Sequence, residues 1–428
     1  MSKIKYIDLF AGMGGIRLGF SQACDELDLS HECVFSSEIK PHAIDIYKYN
    51  FNENNIHGDI TEINARDIPD FDYLLAGFPC QAFSAAGKQL GFDDTRGTLF
   101  FDVARILKEK KPKGFILENV DGFVTHDKEC KADEIGRTLS IILNTLKDLN
   151  YKVTWKILDA SNFGVPQVRK RVFIIGDLIT EPNLENFTFI KSQIGDILEE
   201  GLPTMTSYFI DQLLKYYHVD DLKGKSIKDK RGGKNNIHSW DIAIKGEINN
   251  HQKIVLERLL RERRKKHWAK LKGITWMDGM PLTYNEIASF CTDIPAEQLK
   301  ILLSDLEKKG YVKLEHPKDI MIIDGKNKRH PDTSKDKGYN IVTGKLSFEF
   351  NEILHSKDIA NTLVATEVDR IGVVDGEGIR RLSDKECLRF FGFPDSYQSN
   401  IPNKKLYDLI GNTVVVPVVK SVALRLLQ

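Results

Sequence analysis

The chain lacks an excess of charge of either sign. Its 428 residues carry 61 Lys and Arg against 61 Asp and Glu, so no global field steers it toward nucleic acid or a membrane surface. Cysteine is scarce, and Cys24, Cys33, Cys80, Cys130, Cys291 and Cys387 form no C-x-x-C pair. That spacing argues against a zinc site or a disulfide framework, and no metal is expected. Met1-Ser2-Lys3-Ile4-Lys5 runs straight into a strand-like segment with no signal-peptide core, and no apolar run reads as long enough to cross a bilayer. Internal repeats and low-complexity tracts are missing as well. These absences predict a soluble, reduced, cytoplasmic protein, with enough chain for two domains that each bury a core.

What the first part has is alternation. Apolar or β-branched runs at Ile4–Leu9, Cys33–Glu38, Tyr73–Phe78, Gly114–Glu118, Lys152–Leu158 and Arg171–Ile175 are separated by helical periodicity at Ile16–Ala23, Pro41–Tyr49, Leu99–Lys110 and Glu134–Leu149. Strands alternating with helices predict an α/β, doubly wound and largely parallel sheet that binds ligands at the carboxyl ends of its strands. After about Asp177 the alternation stops. Between Lys223 and Lys272 lie sixteen Lys or Arg against five Asp or Glu, a basic segment inside a neutral whole. Residues 282–316 read as a short helix, a turn at Cys291–Ile294, a longer helix with Leu299, Leu302, Leu303 and Leu306 inward, a stop at Gly310 and a strand. That order looks like a winged helix-turn-helix, although a small helical subdomain would give the same pattern. Lys318–Gly338 reads as a polar loop.

Several strand ends carry chemistry. Asp8-Leu9-Phe10-Ala11-Gly12-Met13-Gly14-Gly15 is a glycine-rich strand-to-helix turn, where a ligand can approach the backbone. Glu38 ends the second strand, where a ribose hydroxyl would be gripped, and Asp59 in Gly58-Asp59-Ile60 suits an adenine amino group. An adenosyl ligand explains all three together. Gly77-Phe78-Pro79-Cys80-Gln81 then puts a thiol at the end of the third strand, before a Gly- and Ser-rich stretch. A cysteine alone is usually a small buried hydrophobe, but here Glu118-Asn119-Val120 ends the neighbouring strand, so a thiol and a carboxyl share one cleft. Thiolate beside carboxylate is unfavourable unless Glu118 is protonated or bonded to substrate. Gln167-Val168-Arg169-Lys170-Arg171 opens a later strand, and alternation puts Arg169 and Arg171 on one face, suited to phosphate or a polarised carbonyl.

Taken in order, these elements resemble the DNA (cytosine-5)-methyltransferases of bacterial restriction-modification systems. Arg96–Phe100, Arg381-Leu382-Ser383, Gly392-Phe393-Pro394 and Gly411-Asn412-Thr413-Val414 extend the likeness to the end of the chain. Thr413 stands where Ser is usual, a small departure.

The resemblance implies a Rossmann-like S-adenosylmethionine-dependent domain over 1–180, completed by 405–428, and a smaller target-recognition domain over 181–400. It implies that Cys80 adds to cytosine carbon 6, that Glu118 holds the ring nitrogen and amine, that Arg169 holds the ring carbonyl or the thiol, and that Arg171 holds the backbone. The target cytosine must be flipped out of double-stranded DNA, with the loop Ser84–Thr95 closing over it. Phe10, Gly12, Gly14, Gly15, Glu38, Asp59, Ile60, Pro79, Leu99, Asn412 and Val414 are the expected cofactor contacts. Arg261, Arg263, Arg264, Lys265 and Lys266 are expected to track phosphates, with Ser84 at the DNA as well and Gln298 and Lys300 at base edges. A monomer suffices to flip one base, and a cognate restriction endonuclease is the expected functional partner. A nicotinamide oxidoreductase would need neither Pro-Cys-Gln nor Glu-Asn-Val. A transfer-RNA cytosine methyltransferase shares the catalytic core, but the long basic insert favours duplex DNA. An intact Cys80 and Glu118 argue against a DNA binder without activity.

Overall fold

A computed structural model describes residues 3–79, 99–130, 132–230, 233–275, 278–323, 326–343 and 348–428. Within them the apolar runs become strands and the periodic segments become helices. In chain order these are β1 (Ile4–Leu9), α1 (Gly15–Glu26), β2 (His31–Ser37), α2 (Pro41–Phe51), β3 (Tyr73–Ala76), α3 (Leu99–Lys110), β4 (Gly114–Val120), α4 (Arg137–Asp148), β5 (Lys152–Asp159) and β6 (Lys170–Asp177). They form a six-stranded sheet in the order β2-β1-β3-β4-β6-β5. The first four strands are parallel, and β6 runs antiparallel between β4 and β5. All four residues of β3 are buried, as a central strand covered on both faces requires. From β1 the chain steps out to β2 and returns to β3 on the other side. A crevice therefore opens at the carboxyl ends of β1 and β3, the switch point of such sheets.

The chain divides into two compact units. The first holds residues up to Glu199 with Ser356–Asp369 and Leu382–Gln428, and the second holds Glu200–His355 with Arg370–Arg381. Residues 181–199, 356–369 and 382–400 thus lie with the sheet, although the resemblance implied a target-recognition domain over 181–400. Backbone bonds far apart in sequence tie them there, from Gly164 to the carbonyl of Ile190, from Val168 to that of Ala360 and from Val416 to that of Phe391.

In the second unit, α5 (Tyr208–Tyr216), β7 (Ser226–Ile227) and β8 (Asn236–Ile237) precede α6 (Asn250–Glu262), α7 (Lys266–Lys272), α8 (Tyr284–Ala288) and α9 (Ala296–Lys308). Then come β9 (Val312–Glu315), β10 (Lys318–Ile323), β11 (Lys326–Pro331), β12 (Gly338–Ile341), β13 (Glu352–Ile353), β14 (Ile371–Asp375) and β15 (Gly378–Arg381). A five-stranded sheet runs in the order β15-β14-β13-β7-β8. Leu299, Leu302, Leu303 and Leu306 form one buried stripe on α9 and join a core with Leu256, Leu259 and Trp268. β12 pairs antiparallel with β9 and bridges Leu282 on its other side. Strand, helix, turn, helix, strand, hairpin, strand is the order of a winged helix, and it extends to Ile341, beyond the expected end at residue 316. Lys318–Gly338 is not a loop throughout, since β10 and β11 pair as an antiparallel ribbon over six residue pairs.

The chain closes in the first unit with α10 (Asp384–Arg389), α11 (Asn403–Asn412) and α12 (Val416–Leu427). Contrary to the sequence reading, Asn403–Leu427 is long and apolar enough, by length and composition, to span a bilayer. The helix breaks between Asn412 and Val416, and Val416, Val419, Val422 and Ala423 are fully buried, as befits a core element.

Candidate active site

A cavity of about 720 Å³ lies at the carboxyl ends of β1, β2, β3 and β4 in the first unit. That is the size of a small-molecule site. Phe10, Gly12, Gly15, Glu38, Asp59, Ile60, Pro79, Leu99, Asn412 and Val414 line it, together with Glu118 and Arg171.

The glycine turn shapes the floor. Phe10, Gly12 and Gly14 all have left-handed φ, at 54°, 53° and 79°, and a non-glycine residue held there stores strain. Gly14 does not line the cavity. A Cβ at this position would stand 2.2 Å from the Phe51 ring, so this glycine lets the turn pack on α2. Gly15 faces the C-terminal segment, and a Cβ there would meet Val414 Cγ2 at 2.8 Å. Below the turn, Asp8 is fully buried with its Oδ1 unpaired, and its Oδ2 accepts from the Tyr47 hydroxyl at 2.9 Å. Burial pushes its carboxyl up to about 7, against the Tyr47 hydrogen bond and Arg17.

The residues present fit an adenosyl group. Glu38 accepts from the backbone N–H of Gly12 at 2.7 Å and, through its other oxygen, from those of Ile39 and Lys40. Its carboxylate is thereby held at the rim, and Oε2, which accepts once, keeps a lone pair for a hydroxyl. Asp59 accepts from the N–H and the hydroxyl of Thr61 through Oδ1. Its Oδ2 makes no hydrogen bond among the described residues. Ile39, 67% exposed, adds an apolar surface to the lining. Sequence reasoning missed it, although a bulky apolar residue directly after the Glu38 strand end was the available signal.

Cys80 and Ser84 lie outside the described residues. The segment leading into them is anchored, because the Asn119 side chain, 4% exposed, donates to the Phe78 carbonyl at 3.0 Å. Glu118, on the adjacent strand, faces Arg171 with Oε1 3.1 Å from Nε. Its Oε2 is 3.6 Å from where a Cβ on Gly77 would stand. Burial raises the Glu118 carboxyl above its ordinary value, and Arg171 and then Arg169 oppose that.

The two arginines part company. Arg171 lines the cavity, whereas Arg169 is 2% exposed and donates to the carbonyls of Leu363, Gly411 and Thr413 at 3.3, 3.0 and 2.8 Å. The expected division is therefore reversed: Arg169 holds backbone, and Arg171 is the guanidinium in the cleft. Strand alternation failed because Arg169 precedes the first residue of β6, where the alternation starts.

The basic segment of the second unit also divides. Arg261, Arg264, Lys265 and Lys266 are exposed; Arg264 faces Asp278 at 2.9 Å and Lys265 faces Glu262 at 2.6 Å. Arg263 is 2% exposed and donates to Asn340 Oδ1 at 2.8 Å and to the Ile341 and Lys230 carbonyls, so it is an internal brace and has no surface for phosphate. On α9, Gln298 is half-buried, and Lys300 is exposed but paired with Glu297 at 2.8 Å. No cluster of metal-ligating side chains occurs among the described residues.

Comparison with known proteins agrees with this geometry. The C-5 cytosine-specific DNA methylase family matches residues 4–428. The type II methyltransferases M.NlaIV of Neisseria lactamica and M.NgoBV of Neisseria gonorrhoeae are each 56% identical over 428 residues, covering 100% of both chains. A mutant form of Spodoptera frugiperda DNMT2 superimposes with a TM-score of 0.51 at 17% identity, covering 100% of both chains, a likeness of fold. The chain belongs to the C-5 cytosine-specific DNA methylases, enzymes that transfer the methyl group of S-adenosylmethionine to carbon 5 of cytosine in DNA.

Proposed function

We propose that the enzyme methylates one cytosine of a specific double-stranded sequence through a covalent Cys80 adduct. It acts as a monomer in the cytoplasm and protects DNA from a cognate endonuclease. The observation that carries the reading is Glu118, on the strand next to the segment that leads into Cys80, paired at 3.1 Å with Arg171 of β6.

Carbon 5 of cytosine is a poor nucleophile, so a covalent detour is needed. The Cys80 thiolate adds to carbon 6, and the ring electrons move toward carbon 5 and nitrogen 3. Glu118, whose raised pKa favours the protonated form, donates to nitrogen 3 and accepts from the exocyclic amine. Arg171 takes the ring carbonyl, the role first read for Arg169. S-adenosylmethionine supplies an electrophilic methyl group when bound, in a site made by Phe10, Gly12, Gly15, Glu38, Asp59, Ile60, Pro79, Leu99, Asn412 and Val414. A base then removes the carbon 5 proton, and the electrons left behind expel Cys80 as thiolate. The second unit recognises DNA, with Arg261, Arg264, Lys265 and Lys266 near phosphates.

A duplex containing 5-fluorocytosine tests the reading, because fluorine cannot leave as a proton does and the adduct persists. The full chain with S-adenosylmethionine is expected to give a protein–DNA species that survives denaturing electrophoresis, and Cys80→Ala to give none. A persistent adduct with Cys80→Ala would refute the assignment of the nucleophile.

A further inference from the structure

Among the described residues of the second unit's winged-helix region, the β10–β11 ribbon stands out by its exposure. Paired residues of an antiparallel ribbon share a face. Ile320 stands opposite Arg329, Met321 opposite Lys328, and Ile322 opposite Asn327. Ile320, Met321 and Ile322 are 42%, 49% and 78% exposed, and Asn327–Pro331 are exposed too, so neither face of the ribbon is covered. A two-stranded hairpin is marginal in water without a third strand or a helix against it. Exposed aliphatic side chains add a cost that a partner surface would remove.

Charge identifies the partner. β11 carries Lys326, Lys328, Arg329 and His330 and no carboxylate. The acid of β10, Asp319, accepts from the N–H groups of Thr275 and Ile320. Helix α9, the expected reader, is poorer in this respect. Glu297, Asp305 and Glu307 outnumber Lys300 and Lys308. Two strands about 4.8 Å apart, with their side chains, match a major groove about 12 Å wide. Ile320 and Ile322 share one face with Arg329 and Asn327, and Met321 shares the other with Lys328; the first face suits thymine methyls on the floor, and the cations suit phosphates at the walls.

We propose that the β10–β11 ribbon enters the major groove of the substrate duplex and determines which sequence is methylated. Lys328 and Arg329 contact phosphates, and Ile320 and Ile322, which share a face, contact base edges. The proposal rests on the reading of the second unit as the DNA-recognising one and names the element that reads.

Two doubly substituted full-length enzymes test it, Lys328→Ala with Arg329→Ala and Ile320→Ala with Ile322→Ala. Binding of S-adenosylmethionine serves as the check of folding. The first should weaken binding to a duplex bearing the methylated sequence and make the slope of log affinity against log salt shallower by about 1.8, the loss of two phosphate contacts. The second should leave that slope alone and relax the sequence context recovered by bisulfite sequencing. Hydrogen exchange on the unsubstituted enzyme gives an independent readout, with residues 318–331 protected when the duplex is added. Wild-type affinity, slope and context in both variants would overturn the ribbon assignment while the methyltransferase reading stood, as would unchanged exchange. Protection that follows protein concentration and not DNA would assign the ribbon to a second copy of the chain and overturn the proposal. Wild-type enzyme that methylates no duplex would overturn the proposed function itself.

Discussion

Arg169→Lys keeps a positive charge and a long apolar stem and removes only the planar fork. In the native enzyme that fork spans three backbone carbonyls, at Leu363, Gly411 and Thr413, and its cation also lies 5.2 Å from the Phe391 ring centroid. An ammonium reaches one of these carbonyls in place of three. Each hydrogen bond from a charged donor contributes about 1.5–3 kcal/mol, so losing two costs about 3 kcal/mol even at the low end. For a protein of this size that lowers the melting temperature by roughly 3 °C. The loss should not be uniform, because Asn412 lies between two of the released carbonyls and lines the cofactor cavity. We expect S-adenosylmethionine affinity to fall about tenfold, equivalent to about 1.4 kcal/mol. Calorimetric titration of the folded variant, beside a thermal melt, separates the two effects. Unchanged melting and unchanged cofactor affinity would refute the bracing role. A lower melting temperature with native affinity would leave Arg169 a stability residue only.

Asp8→Asn tests the buried carboxyl under the glycine turn. With the folded carboxyl pushed up to about 7 and an unfolded one near its ordinary value of about 3.9, the folded state binds the extra proton between those limits. Stability contributed by the site therefore falls as pH rises through that window, by up to about 4 kcal/mol. Urea midpoints at pH 5 and pH 8 should differ less in the variant than in the wild type, and equal differences would contradict the shift. Asn119→Ala frees the Phe78 carbonyl ahead of Cys80. Leaving a buried acceptor unpaired costs about 1–3 kcal/mol, so kcat should drop roughly 5- to 150-fold while cofactor affinity holds. An unchanged kcat would show that Asn119 does not position that segment.

Much of the first unit was legible because its central strands are buried on both faces and its helices on one, so hydropathy period alone separates them. The cavity lining followed for the same reason: residues at strand ends can be counted off from where each apolar run stops. Arg169, Arg263 and the ribbon were not legible, each for a tertiary reason. Arg169 and Arg263 sit in basic runs that resemble solvated surface, and their partners lie far off in sequence, at Leu363 to Thr413 and at Asn340. The ribbon was masked by its own polarity. Asp324-Gly325 between two runs is a hairpin-turn signal, yet without a core-facing side the flanking residues show no alternation between apolar and polar.

Bisulfite sequencing of DNA from cells expressing the chain, beside cells expressing Cys80→Ala, tests the central claim most directly. The account predicts cytosine methylation confined to one sequence context and abolished by the substitution. Methylation that persists without the thiol, or none with it, would contradict the account.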